Sequence, residues 1–196
     1  MIGKRIGDYE LLEELGSGAM GAVYLAEKDG ERFALKVIHE QLQASADLMD
    51  RFVREAQVGG RVRHPNVVRT YEAGAEELDG RTAQFLVMEY VEGKDLRELL
   101  ADLGEVPETL LREIARQTAA GLEAIHAAGE IHRDLKPENS LITDANESRI
   151  MDLGVAKLLD ATVALTRAGQ FTGTVLYASP EQFRDAEVGA PADLYA

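Results

Sequence analysis

No cysteine occurs among the 196 residues. This excludes a disulfide framework, a thiolate nucleophile and any Cys-based zinc site, and it fits a reducing compartment. No uninterrupted apolar run is long enough to span a bilayer, and no charged segment followed by an apolar stretch stands behind Met1. The expectation is a soluble, cytoplasmic piece with no membrane segment of its own, an anchor or sensor beyond Ala196 staying compatible with the sequence. Positive charge is scarce: 21 Lys and Arg stand against 35 Asp and Glu, a net charge of -14. Such a surface repels a polyphosphate backbone, so nucleic acid is not an expected partner. The acidity reads first as a solubilising surface and, more sharply, as a preference for basic peptides. Repeats and low-complexity segments are also missing, and 45% hydrophobic residues suffice for one good core or two modest lobes.

What is present begins with strands. Tyr9 to Leu15 and Ala22 to Ala26 alternate as two strands around the turn Gly16-Ser17-Gly18-Ala19-Met20-Gly21. Phe33 to Ile38 reads as a third strand, with Ala34, Lys36 and Ile38 on one face. Asp47 to Val58 reads as a helix, Val67 to Ala73 and Phe85 to Tyr90 as further strands, and Glu76 to Arg81 as a polar loop. After a hinge near Glu89 to Gly93 the period changes to helical. Asp95 to Leu103 is a short helix, and Pro107 starts a long one on which Leu111, Ile114, Thr118, Leu122 and Ile125 recur, with Gly129 ending it. Short strands near Leu141 to Thr143 and Arg149 to Met151 precede a long loop, Gly154 to Pro180.

The chemistry lies in His132-Arg133-Asp134-Leu135-Lys136-Pro137-Glu138-Asn139, followed by Asp152-Leu153-Gly154. Phosphoryl transfer from ATP needs a carboxylate to orient a hydroxyl, an ammonium to neutralise the moving phosphate and oxygen ligands for magnesium. Asp134, Lys136, Asn139 and Asp152 supply these, the last two as ligands for a hard cation. His132 reads as a packed structural residue. The triplet Gly16, Gly18, Gly21 is by itself ambiguous between a dinucleotide fold, a phosphate-covering flap and an ordinary hairpin turn. The strand after Gly21 and the lysine downstream decide for the flap, since a dinucleotide fingerprint needs a helix there. Lys36, mid-strand among apolar residues, needs a charge partner or a solvent-reaching head, and Glu55 is the natural partner.

In order, GSGAMGAV at 16–23, FALK ending at Lys36, Glu55, HPN at 64–66, VMEY at 87–90, HRDLKPEN at 132–139, DLG at 152–154 and ASPE at 178–181 resemble the eukaryotic-type protein kinases, most closely their bacterial Ser/Thr branch. The resemblance implies an α+β, two-lobe fold: a small antiparallel β lobe with one helix over 9–91 and an incomplete, mainly helical large lobe over 92–196. It implies ATP and magnesium (or manganese) as cofactors and protein Ser/Thr hydroxyls as acceptors. The implied catalytic residues are Asp134, Lys136, Lys36 and Glu55. Nucleotide contacts are implied at Gly16, Ser17, Gly18, Gly21, Val23, Ala34, Lys36, Met88, Glu89, Val91, Asp95 and Leu141, and metal ligands at Asn139 and Asp152. Lys136 and Thr174 point to Ser/Thr rather than Tyr acceptors. Arg133 implies control by phosphorylation of the activation loop, at Thr162, Thr166 or Thr172, with a kinase–kinase dimer as a route to autophosphorylation.

Several residues depart from the family pattern. DLG stands for DFG, ASPE for the usual APE context, and Ser140 for an aliphatic residue. Gly59 stands where a large apolar side chain normally stacks on Leu153, so the Glu55 helix is expected to be loosely held. Asp193-Leu194-Tyr195-Ala196 resembles the start of the large lobe's central helix. The sequence is therefore expected to be truncated, without the arginine that pairs with Glu181, and to be aggregation-prone alone. The competing function is a truncated or pseudokinase module that binds nucleotide or partners without phosphotransfer; a nucleotide-dependent oxidoreductase is disfavoured by the strand after Gly21.

Overall fold

A computed structural model describes residues 1–18, 21–40, 52, 59–78, 80–153, 176–183 and 188–196. The chain divides into two compact units, one of Met1–Gly60 with Arg69–Val91 and one of Arg61–Val68 with Glu92–Ala196.

The first unit is built on a six-stranded antiparallel sheet: β1 (Arg5–Ile6), β2 (Tyr9–Ser17), β3 (Gly21–Lys28), β4 (Glu31–Ile38), β5 (Thr70–Leu78) and β6 (Arg81–Glu89), in spatial order β1-β2-β3-β4-β6-β5. Side chains on a strand point alternately to its two faces. One face carries Leu11, Ala22, Tyr24, Ala26, Leu35, Val37, Phe85 and Val87, which with Ile6 and Tyr9 form the unit's core. Leu35 and Val87 are wholly inaccessible, so truncating either to alanine costs about 2–5 kcal/mol.

The three strands expected at 9–15, 22–26 and 33–38 form, each a few residues longer. The expected polar loop at Glu76 to Arg81 does not form: β5 and β6 run through it and pair Leu78 with Arg81 across a tight turn at Gly80 (φ 76°). β5 is an edge strand, so Glu76 and Glu77 sit in regular strand with solvent-facing side chains, Glu77 accepting from Thr82 Oγ1 at 2.6 Å. The expected helix over 47–58 lies outside the described residues except for Phe52, which is helical and 2% exposed.

The expected loose hold on the Glu55 helix lies outside the described residues, but the surroundings of Gly59 are described. A Cβ built there would lie 2.8 Å from Thr70 Cβ and overlap Thr70 Oγ1. The helix backbone thus rests directly on the start of β5, and the position has no hole for a large side chain. Gly59→Leu is expected to destabilise the chain by about 1–3 kcal/mol through overpacking. A denaturant midpoint that rises in this variant would refute the contact.

The second unit contains β7 (Lys94–Asp95), α1 (Leu96–Leu103), α2 (Glu108–Ala127), a 3-10 turn Pro137–Asn139, β8 (Ser140–Ile142), β9 (Ser148–Ile150), a 3-10 turn Pro180–Phe183 and α3 (Pro191–Tyr195). Asp95 caps α1, its Oδ1 accepting from the Glu98 N–H at 2.8 Å. Pro107 occupies the cap position of α2 and Gly129, at φ 80°, turns the chain away beyond its end. Ile114, Leu122 and Ile125 are buried as their spacing predicts, whereas Leu111 is 54% exposed. Leu122 and Ile125 join Val62, Val67, Ile150 and Leu153 in the core.

Asn66 fastens its segment to this core. Its Nδ2 donates to Gln117 Oε1 (3.0 Å) and to the Ser148 carbonyl (2.8 Å), and its own carbonyl accepts from the Ile150 N–H (2.9 Å). Gln117 is oriented in turn by Glu113, which also accepts from Arg116, and these hydrogen bonds hold the Glu113 carboxyl down to about 2 from an ordinary 4.5. A carboxyl depressed by folding stabilises above its unfolded pKa and loses that contribution as pH falls toward the folded value. The gap in thermal midpoint between the parent and Glu113→Gln should therefore be open at pH 6 and narrow steadily below about 4.5.

Candidate active site

In the second unit the residues from His132 to Asn139 form a polar cluster whose backbone is held under strain. Arg133 has φ 69° and Asp152 φ 59°, left-handed conformations that cost a non-glycine residue about 1–3 kcal/mol. A buried carboxylate holds the first of them. Asp193, on α3, accepts from the His132 N–H at Oδ2 (2.8 Å) and from the Arg133 N–H at Oδ1 (2.6 Å), and His126 Nε2 meets Oδ2 at 2.7 Å. Gln182 adds a bond from Nε2 to the Arg133 carbonyl (2.8 Å) while its Oε1 accepts from the Ser179 N–H (2.9 Å). Neither Asp193 nor Gln182 figured among the sequence candidates. Nothing local marks them, because their partners stand some fifty to sixty positions earlier in the chain.

His132 is wholly buried, as expected for a packed residue. Its Nδ1 accepts from the Asp134 N–H (3.3 Å), so Nε2 carries the proton and donates to the Met151 carbonyl (2.9 Å). This side chain thereby spans the loop bearing Asp134 and the strand end leading into Asp152.

Asp134 itself is gripped on one side only. Oδ2 accepts from Lys136 Nζ (2.8 Å) and Asn139 Nδ2 (3.0 Å), and Asn139 Nδ2 also reaches the Asp134 carbonyl (2.8 Å). Oδ1 is buried and has no hydrogen-bond partner among the described residues. A carboxylate oxygen left so is costly unless a donor arrives, and a hydroxyl is such a donor. Because Asn139 turns its amide nitrogen toward Asp134, its Oδ1 is the atom a cation would meet. The Met151 N–H bonds the Asn139 carbonyl (3.0 Å), which brings the residue preceding Asp152 against Asn139. An amide oxygen and a carboxylate are hard donors and suit magnesium. Glu138 pairs with Arg97 of α1, whose Nη2 lies 3.4 Å from the Tyr177 hydroxyl, tying the 3-10 turn to α1. Leu141 lies on β8, paired with Asp95 on β7.

In the first unit, register places the other candidates on the sheet face opposite the core. Val23 pairs with Lys36, Lys36 with Leu86, and Ala34 with Met88. Val23, Ala34, Lys36 and Met88 therefore form one contiguous patch. Lys36 is 6% exposed in the middle of the sheet, a cost that burial imposes unless the charge meets an anion. Glu55 lies outside the described residues, as do Thr162, Thr166, Thr172 and Thr174. Gly16 and Ser17 end β2, and the Gly18 N–H closes the turn on the Gly21 carbonyl at 2.9 Å. Gly21 packs so tightly on Val37 that any Cβ would overlap its carbonyl oxygen, whereas at Gly16 and Gly18 a Cβ would meet nothing within 4 Å. Glu89 ends β6, its N–H bonded to the Arg69 carbonyl (2.8 Å), and half-buried Val91 follows.

A sheet unit with a glycine turn and a buried lysine, and a helical unit with a strained Asp–Lys–Asn loop, are the parts of a protein kinase. The chain belongs to that family: the model of the protein kinase domain matches residues 9–196. Its fold is α+β and protein-kinase-like. It is 41% identical over 197 residues to the serine/threonine-protein kinase pkn2 of Myxococcus xanthus, covering 97% of this chain and 23% of that protein. It is 39% identical to the serine/threonine-protein kinase PknD of Mycobacterium tuberculosis, covering 100% of this chain and 29% of that protein. The chain thus spans less than a third of the length of either relative. The crystal structure of the Mycobacterium tuberculosis PknI kinase domain matches with a TM-score of 0.74 at 30% identity, covering 100% of this chain and 73% of that one. Among the described residues no helix is long and apolar enough to cross a membrane.

Proposed function

We propose that the chain carries the catalytic machinery of an ATP-dependent serine/threonine protein kinase, with Asp134 as the residue that receives the acceptor hydroxyl. Oδ1 of Asp134, buried and without a hydrogen-bond partner among the described residues, carries this reading. A Ser or Thr hydroxyl donates to that oxygen, its own oxygen attacks the γ-phosphorus, and the bond from that phosphorus to the β–γ bridging oxygen breaks to release ADP. The proton leaves the hydroxyl toward Oδ1. Lys136, fixed on Oδ2 of the same carboxylate, places positive charge beside the transferring group. Asn139 Oδ1 and Asp152 would hold magnesium, which would supply charge neutralisation of the phosphate oxygens.

The face bearing Val23, Ala34 and Met88 takes the adenine, with Glu89 and Val91 offering backbone groups. Lys36, paired with Glu55, takes the α and β phosphates, and the turn from Gly16 to Gly21 covers them. In the second unit Asp95 and Leu141 are further nucleotide contacts, Asp95 with the carboxylate oxygen that does not cap α1. Protein Ser/Thr side chains are the acceptors, and the names of the relatives support that class. Loop threonines of a second copy of this chain are the first acceptors, and the work takes place in the cytoplasm, where ATP is made.

Intact-mass measurement after incubation with Mg-ATP tests the reading. Added phosphate in the parent and none in Asp134→Asn is expected. A folded, nucleotide-binding parent that gains no mass would overturn it in favour of a binding module.

A further inference from the structure

His39 stands one residue beyond β4 and three beyond Lys36, and its ring reaches across to the glycine turn. Nε2 lies 2.9 Å from the Gly18 carbonyl oxygen. An imidazole N–H is the donor in such a pair, so the ring grips the turn at a backbone acceptor. The Gly18 N–H is engaged within the turn, on the Gly21 carbonyl at 2.9 Å, which leaves its carbonyl for the ring. The β2–β3 ladder slips register between Glu14 and Gly16, just where it enters the turn. At Gly16 and Gly18 a Cβ would meet no atom of the described residues within 4 Å. Gly21, by contrast, is seated hard on Val37. One end of the turn is thus fixed by backbone packing on β4 and the other by a side chain from the end of the same strand.

We infer that His39 is a positioning residue for nucleotide binding, holding the Gly18 carbonyl and with it the β2 side of the turn that covers the phosphates. This rests on the phosphate-binding reading of that turn. Anion binding by a glycine turn depends on N–H groups already aimed at the phosphate, since any ordering needed on binding subtracts from affinity. His39 does that ordering in advance. The ring is half-buried and outside the sheet core, and loss of its bond returns the Gly18 carbonyl to water. Stability is therefore insensitive to the residue while affinity is not.

The experiment compares parent, His39→Ala and His39→Gln as the full chain. It reads the Kd of a fluorescent N-methylanthraniloyl-ADP, the KM for ATP, kcat and the thermal midpoint. His39→Ala should raise Kd and KM about fivefold, the worth of one hydrogen bond, with kcat within about twofold and the midpoint unmoved. His39→Gln, which keeps a side-chain N–H donor, should recover most of the loss. Equal affinity in parent and His39→Ala overturns the inference, as does a glutamine variant no better than alanine, or an affinity loss that merely tracks a fall in midpoint. A parent that melts cooperatively yet binds no nucleotide overturns the functional reading, and this inference with it.

Discussion

Asp193→Ala is expected to cost the chain about 3–5 kcal/mol and to abolish phosphotransfer even where folded protein survives. The Asp193 side chain is entirely inaccessible, and its two oxygens satisfy the backbone N–H groups of His132 and Arg133 as well as His126 Nε2. Alanine leaves those N–H groups buried without an acceptor, at about 1–3 kcal/mol each. It also releases the restraint on Arg133, whose φ of 69° is upheld by the bond at its N–H. Asp134 is the next residue, so relaxation of Arg133 swings the carboxylate away from its place. A shift of about 1 Å in a reacting group can cost a hundredfold in rate.

Asp193→Asn separates the two effects. It keeps one acceptor but turns an amide donor toward a backbone donor, so it should lose about half the stability that alanine loses. Urea melts of both variants, read beside phosphate incorporation, check the order parent, asparagine, alanine. An alanine variant as stable and as active as the parent would remove Asp193 from any role in shaping the loop.

Much of this arrangement was legible in the sequence, and the illegible parts share a cause. β2, β3 and β4 announce themselves because one face of each is core and the other is not, so alternation is visible. The same alternation placed Ala34 and Lys36 together, and the register with Val23 and Met88 agrees. α1 and α2 begin where Asp95 and Pro107 said they would. The β5–β6 hairpin was misread because an edge strand facing water looks like a loop: Glu76 and Glu77 carry no burial signal. The close approach at Gly59 was not legible either, because only the position of Thr70 shows that a side chain there would collide. Asp134, Lys136 and Asn139 were legible because their partners lie within a few residues of one another. The restraints on that loop were not, since Asp193, Gln182 and Met151 come to it from far along the chain.

Asp134→Asn should lower kcat by about a hundredfold to ten-thousandfold while leaving nucleotide affinity and thermal midpoint near those of the parent. The substitution is isosteric, but it forces a choice on the amide. In the parent, Oδ2 faces two donors, Lys136 Nζ and Asn139 Nδ2, and Oδ1 faces none among the described residues. An asparagine must turn its oxygen to those donors, because its nitrogen there would meet two N–H groups head on. The NH2 group then occupies the place of Oδ1, and an incoming hydroxyl finds a donor where it needs an acceptor. Both proton removal and orientation of the attacking oxygen fail together, whereas Lys136 and Asn139 keep their partner and the loop keeps its shape. Single-turnover phosphate transfer with saturating ATP reads the chemical step, and N-methylanthraniloyl-ADP binding reads the site. If the step is unchanged in a variant that still binds nucleotide, the hydroxyl is received elsewhere and the vacant oxygen of Asp134 has another purpose.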